Sequence, residues 1–209
     1  MKTLLSEYRQ KRKDIKNRLK EFKNIHKGEN KDIFAELCFC LLTPQSKAVS
    51  CDKAIAGLKK SGLLYTGCVR AISKNLKGVR FHNNKSAYIV GARNLLGNKK
   101  GIDIKAKLDP SDAQATRDWL VKNIKGLGYK EASHFLRNIG LGKDLAIIDR
   151  HILRNLKKYK VISKTPASLS RKVYLDIENK MRGFSRRINI PLDELDFLFW
   201  SKETGMIFK

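Results

Sequence analysis

The sequence predicts an all-α protein of two helical lobes with a cleft between them. Apolar residues recur at i, i+3 and i+4 along most of the 209 residues. No stretch alternates in the manner of a strand. Only 4 prolines interrupt the chain, and neither a low-complexity linker nor an internal repeat divides it. The length suits one compact domain or two small lobes.

Leu4, Leu5, Tyr8, Ile15, Leu19 and Phe22 mark one face of a long basic helix ending near Gly28. Ile33, Phe34, Leu37, Cys38 and Leu41 define a very apolar second helix. Thr43-Pro44 ends it, because a residue before proline is pushed out of the helical region. A third helix starts near Ser46 and carries Ala48, Cys51, Ile55 and Leu58. Shorter helices are expected over 69–76 and 83–96, and 98–107 reads as a polar connection. Asp109-Pro110-Ser111 signals the next helix start, leading to Thr116, Leu120 and Ile124. Residues 30–132 are expected to form one lobe, and 1–29 with 133–209 the other.

The chain carries 45 Lys+Arg against 20 Asp+Glu, a formal charge of +25. That charge calls for a polyanionic partner, and nucleic acid is the leading one. An anionic membrane surface would concentrate the basic charge on one amphipathic helix, whereas here it runs along the whole chain. A heat-adapted lysine-rich surface would bring matching glutamate, which is lacking. No apolar run has the roughly 18 residues of a membrane span. The N-terminus turns charged before a signal-peptide core forms, so a cytoplasmic, nucleoid-associated monomer is expected. Cys38, Cys40, Cys51 and Cys68 form no CxxC pair and have no histidine at ligand spacing, so buried thiols are expected rather than a metal or cofactor site.

The segment 120–140 reads LVKNIKGLGYKEASHFLRNIG. One helix ends in Gly126-Leu127-Gly128 beside Lys125, and another begins at Tyr129-Lys130-Glu131-Ala132. Two glycines around one apolar residue permit a tight turn with positive φ. Amides at the start of the second helix then face an anion, aided by the helix dipole. This helix–hairpin–helix can hold a DNA phosphate without reading a base. Downstream, the apolar run 145–148 delivers Asp149 to the start of a basic helix, where an N-cap is the ordinary role. Lys130 lies 19 residues upstream, a spacing that lets one helix and a return loop bring the two together.

The pattern GLGYK followed by IIDRHILR resembles the helix–hairpin–helix DNA glycosylase superfamily, which includes endonuclease III. The short length, the basic balance and the ending Gly205-Met206-Ile207-Phe208-Lys209 resemble the archaeal-type 8-oxoguanine DNA glycosylase/AP lyases. Leu41-Leu42-Thr43-Pro44-Gln45-Ser46 matches the superfamily's early helix and Gln-bearing loop. The endonuclease III branch carries a four-cysteine iron–sulfur loop near its C-terminal end, and this chain has no cysteine after Cys68.

The resemblance implies excision of 8-oxoguanine from double-stranded DNA, with nicking 3′ to the abasic site. Lys130 would attack C1′ and form a Schiff base. A lysine nucleophile must be neutral, yet an unperturbed side chain near pKa 10.4 leaves about one molecule in 2,500 neutral at pH 7, equivalent to about 4.6 kcal/mol of barrier. A helix N-terminus and nearby cations oppose the protonated form. Asp149 would stay ionised and stabilise the cationic sugar. The extruded base needs a stacking partner and a hydrogen-bonding edge. Lys209 is implied as the guanine/8-oxoguanine discriminator, Trp200 and Phe81 as stacking platforms, and Gln45 as filler of the emptied duplex. His134 is expected to be structural. Two other readings are a glycosylase for another damaged base, such as an oxidised pyrimidine, and a non-catalytic helix–hairpin–helix DNA-binding module.

Overall fold

The computed structural model describes residues 2–209. Helix α1 (Lys2–Lys27) buries Leu4, Tyr8, Ile15 and Phe22 along one stripe and turns its basic face outward. Helix α2 (Asn30–Leu42) is buried from Ile33 to Leu42, as its all-round apolar sequence requires. Helices α3 (Ala48–Lys60) and α6 (His82–Leu96) pack on it, with α4 (Leu63–Thr66) against α3 and α5 (Val69–Asn75) against α3 and α6. Then come α7 (Ala113–Asn123), α8 (Tyr129–Asn138), α9 (Arg150–Lys158), α10 (Arg171–Arg187) and α11 (Leu192–Thr204).

Three expectations about the elements need correction. The polar connection after α6 holds a minimal antiparallel pair, β1 (Gly97–Asn98) with β2 (Gly101–Ile102), in which Gly97 faces Ile102. Helix α7 starts later than Asp109-Pro110-Ser111 implies. Asp109 instead closes a turn by accepting from Ser111 N at 2.8 Å and Ser111 Oγ at 2.6 Å. Asp112 is the N-cap, accepting from Gln114 N at 3.1 Å and Ala115 N at 2.8 Å. Helix α3 likewise begins at Ala48 rather than Ser46, whose hydroxyl is engaged elsewhere.

The core falls into two apolar clusters. One gathers α2, α3, α6, α7 and α8 around Phe34, Phe39, Leu120 and Phe135, and extends to Leu145. The other gathers α1, α9, α10 and α11 around Phe22, Tyr174, Phe184, Phe197 and Phe199. Tyr159 stacks on Phe199 with centroids 5.6 Å apart. Cys38, Cys40 and Cys51 are buried thiols as expected, but the expectation fails for Cys68, which is exposed because it precedes α5 as its N-cap instead of lying on an apolar helix face. No helix among the described residues is long and apolar enough to cross a membrane. No group of three His, Cys, Asp or Glu among them is arranged to hold a metal ion.

Candidate active site and DNA interface

Helix α7 closes at Ile124, and the hairpin turns at Gly126 with φ +90°. A Cβ there would lie 2.3 Å from Cδ2 of Tyr88, so the position needs both the left-handed backbone and the missing side chain. Leu127 plugs the turn into the core, while Lys125 and Gly126 are exposed. Only the first glycine has positive φ. Gly128 is extended (φ −94°, ψ −178°) and N-caps α8.

Lys130 is the second residue of α8, with its side chain a quarter exposed and its Nζ 3.5 Å from Oε1 of Glu131. Asp149 N-caps α9, where Oδ1 accepts from His151 N and Ile152 N, both at 2.8 Å. That leaves Oδ2 outside the cap. Both side chains line one cleft of about 710 Å³, together with Gln45, Trp200 and Lys209. The hairpin residues 125–128 do not line it and immediately precede α8, whose second residue does. Phe81 is not brought into the cleft either. It N-caps α6 in a left-handed conformation (φ +57°), 53% exposed. Its neighbour Arg80 lines the cleft and lays its guanidinium 5.4 Å from the Phe81 ring centroid.

The segment delivering Asp149 is held from behind by α10. Glu178 Oε1 accepts from Ala146 N at 2.8 Å. Tyr174 donates its hydroxyl to Ala146 O at 2.6 Å and accepts from Ile148 N at 3.2 Å. Glu178 also pairs with Arg117 of α7 through two bonds, 2.7 and 2.9 Å, with both side chains almost completely buried.

The chain end crosses from the second cluster to the first. The Lys209 ammonium sits 2.7 Å from Asp52 Oδ1, 3.1 Å from Glu36 Oε2 and 4.6 Å from the Phe39 ring centroid. These acids outweigh burial and raise its pKa. Glu36 is fixed in turn by Asn138 Nδ2 at 2.7 Å, and Asn138 Oδ1 receives Arg137 Nε and Nη2. Arg137 donates to Asp196 Oδ2 at 2.6 Å, and Asp196 borders the cleft. Burial pushes the Asp196 carboxyl up to about 7 against the pull of Arg137.

His134, one turn after Lys130, is only 6% exposed and meets Phe39 edge-on at 5.7 Å. Neither ring nitrogen has a hydrogen-bond partner of good geometry among the described residues. Burial first, then the charges of Arg137, Lys130 and Lys209, hold its pKa well below the ordinary value. The main-chain oxygen of Lys209 is a weaker opposing influence. The ring also lines the cleft. Sequence reasoning also missed Arg137, Asp196, Glu36 and Lys85. For Asp196 alone the sequence carries a hint, a charge inside the apolar run Leu195-Asp196-Phe197, and that hint names no partner.

A basic, two-cluster helical fold with a lysine in the first turn after the hairpin and a capping aspartate lining the same cleft is that of a helix–hairpin–helix DNA glycosylase. The 8-oxoguanine DNA glycosylase family model matches residues 15–190, and the chain belongs to that family. An 8-oxoguanine DNA glycosylase/AP lyase of Fusobacterium nucleatum is 51% identical, covering 97% of this chain and 94% of its own. One from Methanocaldococcus jannaschii is 41% identical, covering 93% and 91%. The crystal structure of the Methanocaldococcus jannaschii 8-oxoguanine glycosylase/lyase in complex with a 15mer DNA containing 8-oxoguanine superposes with a TM-score of 0.88 at 37% identity over 100% of both chains. The 8-oxoguanine DNA glycosylase of Thermotoga maritima gives 0.87 at 33% identity, over 100% of this chain and 97% of its own.

Proposed function

We propose that this enzyme removes 8-oxoguanine from duplex DNA and nicks the strand, with Lys130 as nucleophile and Asp149 as electrostatic partner. The observation that carries the assignment is their convergence on one cleft from the starts of two different helices. The Lys130 Nζ lone pair attacks C1′, and the C1′–N9 bond breaks with its electron pair leaving on the base, which takes up a proton. The sugar ring opens to a Schiff base between C1′ and Nζ. Loss of a C2′ proton expels the 3′ phosphate, and water then hydrolyses the imine to release Lys130. Asp149, whose Oδ1 is fixed by the two amides of α9 that it caps, offsets positive charge on the sugar.

The Lys209 ammonium is held by Glu36 and Asp52 and can only donate, so the terminal carboxylate is the group of this residue able to accept N7–H of 8-oxoguanine. Guanine lacks that hydrogen. Trp200 supplies a stacking face and Gln45 meets the space left in the duplex. Phe81 acts at the cleft edge, outside the base pocket. Lys125, Gly126, Leu127 and Gly128 hold a backbone phosphate. The lobes are taken as 30–132 and as 1–29 with 133–209, and the apolar cluster of the first continues past that boundary to Leu145. The enzyme works as a monomer on cytoplasmic, nucleoid-associated DNA.

Borohydride trapping on a duplex with one 8-oxoguanine tests the assignment. A covalent adduct is expected only with the lesion present and Lys130 intact. Turnover surviving Lys130→Gln refutes the nucleophile. Absence of an adduct on this lesion but not on oxidised pyrimidines refutes the substrate. Absence on every lesion leaves a DNA-binding module.

A further inference from the structure

Lys85 is a buried cation that the chemistry above does not use. It lies at the end of the first turn of α6, 4% exposed, and no carboxylate pairs with it among the described residues. An ammonium has three donors. Here each meets one oxygen: Leu42 O at 2.7 Å, Pro44 O at 2.7 Å and Ser46 Oγ at 3.0 Å. These acceptors bracket Gln45, which is left-handed at φ +56°. The main-chain amide of Lys85 makes the ordinary first-turn helical bond to Phe81 O at 3.1 Å, independent of the side chain, and Phe81 is left-handed at φ +57°. Ser46 Oγ closes the circuit by accepting from Arg80 N at 3.0 Å.

Two of the four non-glycine residues with positive φ among those described therefore adjoin the ammonium's ligands, Gln45 between Pro44 and Ser46, and Phe81 beside Arg80, whose amide shares the Ser46 hydroxyl with Lys85. Both belong to the cleft edge, since Gln45 lines the cleft and Phe81 adjoins Arg80, which does. Burying a charge without a counter-ion is unfavourable, and so is a left-handed backbone outside glycine. The fold spends both on a single rigid edge joining two loops that are distant in sequence.

We infer that Lys85 is a positioning residue that locks Gln45 and Phe81 into one two-pronged edge, which enters duplex DNA where the damaged base leaves. The inference rests on the reading of Gln45 and Phe81 as DNA contacts. Extruding a base costs stacking and pairing, and a wedge ordered beforehand loses no further freedom when it enters. A mobile pair of loops would have to be ordered at the same moment as the duplex opens.

The test compares single-turnover excision of 8-oxoguanine in two duplexes, one with the lesion paired to dC and one with it in a mismatched bubble. 2-Aminopurine beside the lesion reports unstacking directly. Lys85→Met, and the milder Ser46→Ala, are measured beside Gln45→Ala and Phe81→Ala. Lys85→Met is expected to slow unstacking and excision on the paired duplex by about tenfold, with a change within about twofold in the bubble. Ser46→Ala should show a smaller loss of the same selectivity. Equal losses on both duplexes would mean general damage to the fold and overturn the inference. So would an unchanged paired-duplex rate. If Gln45→Ala and Phe81→Ala also leave that rate unchanged, the reading of the edge as a DNA contact fails with it. If those two lose activity and Lys85→Met does not, only the role of Lys85 fails.

Discussion

Glu178 makes no contact with the cleft, yet its removal should be among the most damaging single changes to this enzyme. Its carboxylate is 1% exposed and neutralises Arg117, also 1% exposed, while Oε1 accepts the Ala146 amide. Glu178→Ala leaves a buried guanidinium unpaired, which costs about 3–5 kcal/mol, and strips an acceptor from a buried amide, worth about 1–3 kcal/mol. The two losses share one site and are not additive, so about 4–5 kcal/mol is expected. For a domain of this size each kcal/mol moves Tm by about 2–4 °C, giving a drop of about 8–20 °C. Urea denaturation followed by tryptophan fluorescence and far-UV circular dichroism measures the loss and checks that the transition stays two-state. Glu178→Gln should be milder, because the amide oxygen still serves Ala146. Arg117→Met combined with Glu178→Leu should recover much of the stability, since it is the uncompensated charge that costs most. A loss below about 1 kcal/mol for Glu178→Ala would refute the reasoning, because it would mean that water or another carboxylate reaches Arg117.

Gly126→Ala puts a Cβ into the Tyr88 ring and forces the hairpin to reshape; binding of lesion duplex, read by fluorescence anisotropy, should weaken by about tenfold, and unchanged affinity would remove the hairpin from the interface. Lys125→Ala should reduce the slope of log Kd against log salt by about one, as for one lost phosphate contact, and an unaltered slope would exclude that contact. Deleting Lys209 should collapse the ratio of 8-oxoguanine to guanine excision while lyase activity on abasic DNA persists; an unchanged ratio would assign discrimination elsewhere. The folded pKa of His134 lies well below that of a free histidine, so in acid the unfolded chain binds a proton that the folded one refuses. The His134 contribution to stability should therefore fall as pH drops below about 6.5, by at most about 1.4 kcal/mol per pH unit, against the opposite trend from the raised carboxyl of Asp196, so His134→Leu should make stability rise more, or fall less, than in the unaltered enzyme in urea titrations from pH 7 to 5.

Helix-forming periodicity and the hairpin were legible because they are local. The stripe Leu4, Tyr8, Ile15 and Phe22 is set by spacing alone, and Gly126 is fixed by a turn within one segment. Lys130 and Asp149 were legible as a pair because only one helix and a return loop separate them. The start of α7 was misplaced because Asp109 and Asp112 both offer a capping oxygen, and Pro110 favours the first by composition alone. The polar wiring beneath the cleft was not legible. Glu36, Arg137, Asn138 and Asp196 are spread over 161 positions from first to last, and their bonds exist only after α2, α8 and α11 have packed. Lys85 was lost among 45 basic residues, since nothing in its neighbours distinguishes a buried lysine from a solvated one.

The same wiring sharpens the meaning of the net charge. Glu36, Glu178, Glu194 and Asp196 are buried, and their partners include only two buried cations, Arg117 and Arg137. Glu194 accepts from the Tyr8 hydroxyl, and Glu36 serves Asn138 and the Lys209 ammonium. Acids are thus withdrawn into the interior faster than bases are. Sixteen of the 20 acids remain nearer the surface, against all but a few of the 45 bases, so the surface is more cationic in proportion than the composition alone implies. A surface of that kind attracts any duplex without regard to sequence. Selectivity must then arise after contact, in the cost of opening the duplex and in the fit of the extruded base, which are the steps assigned to the Gln45–Phe81 edge and to the end of the chain.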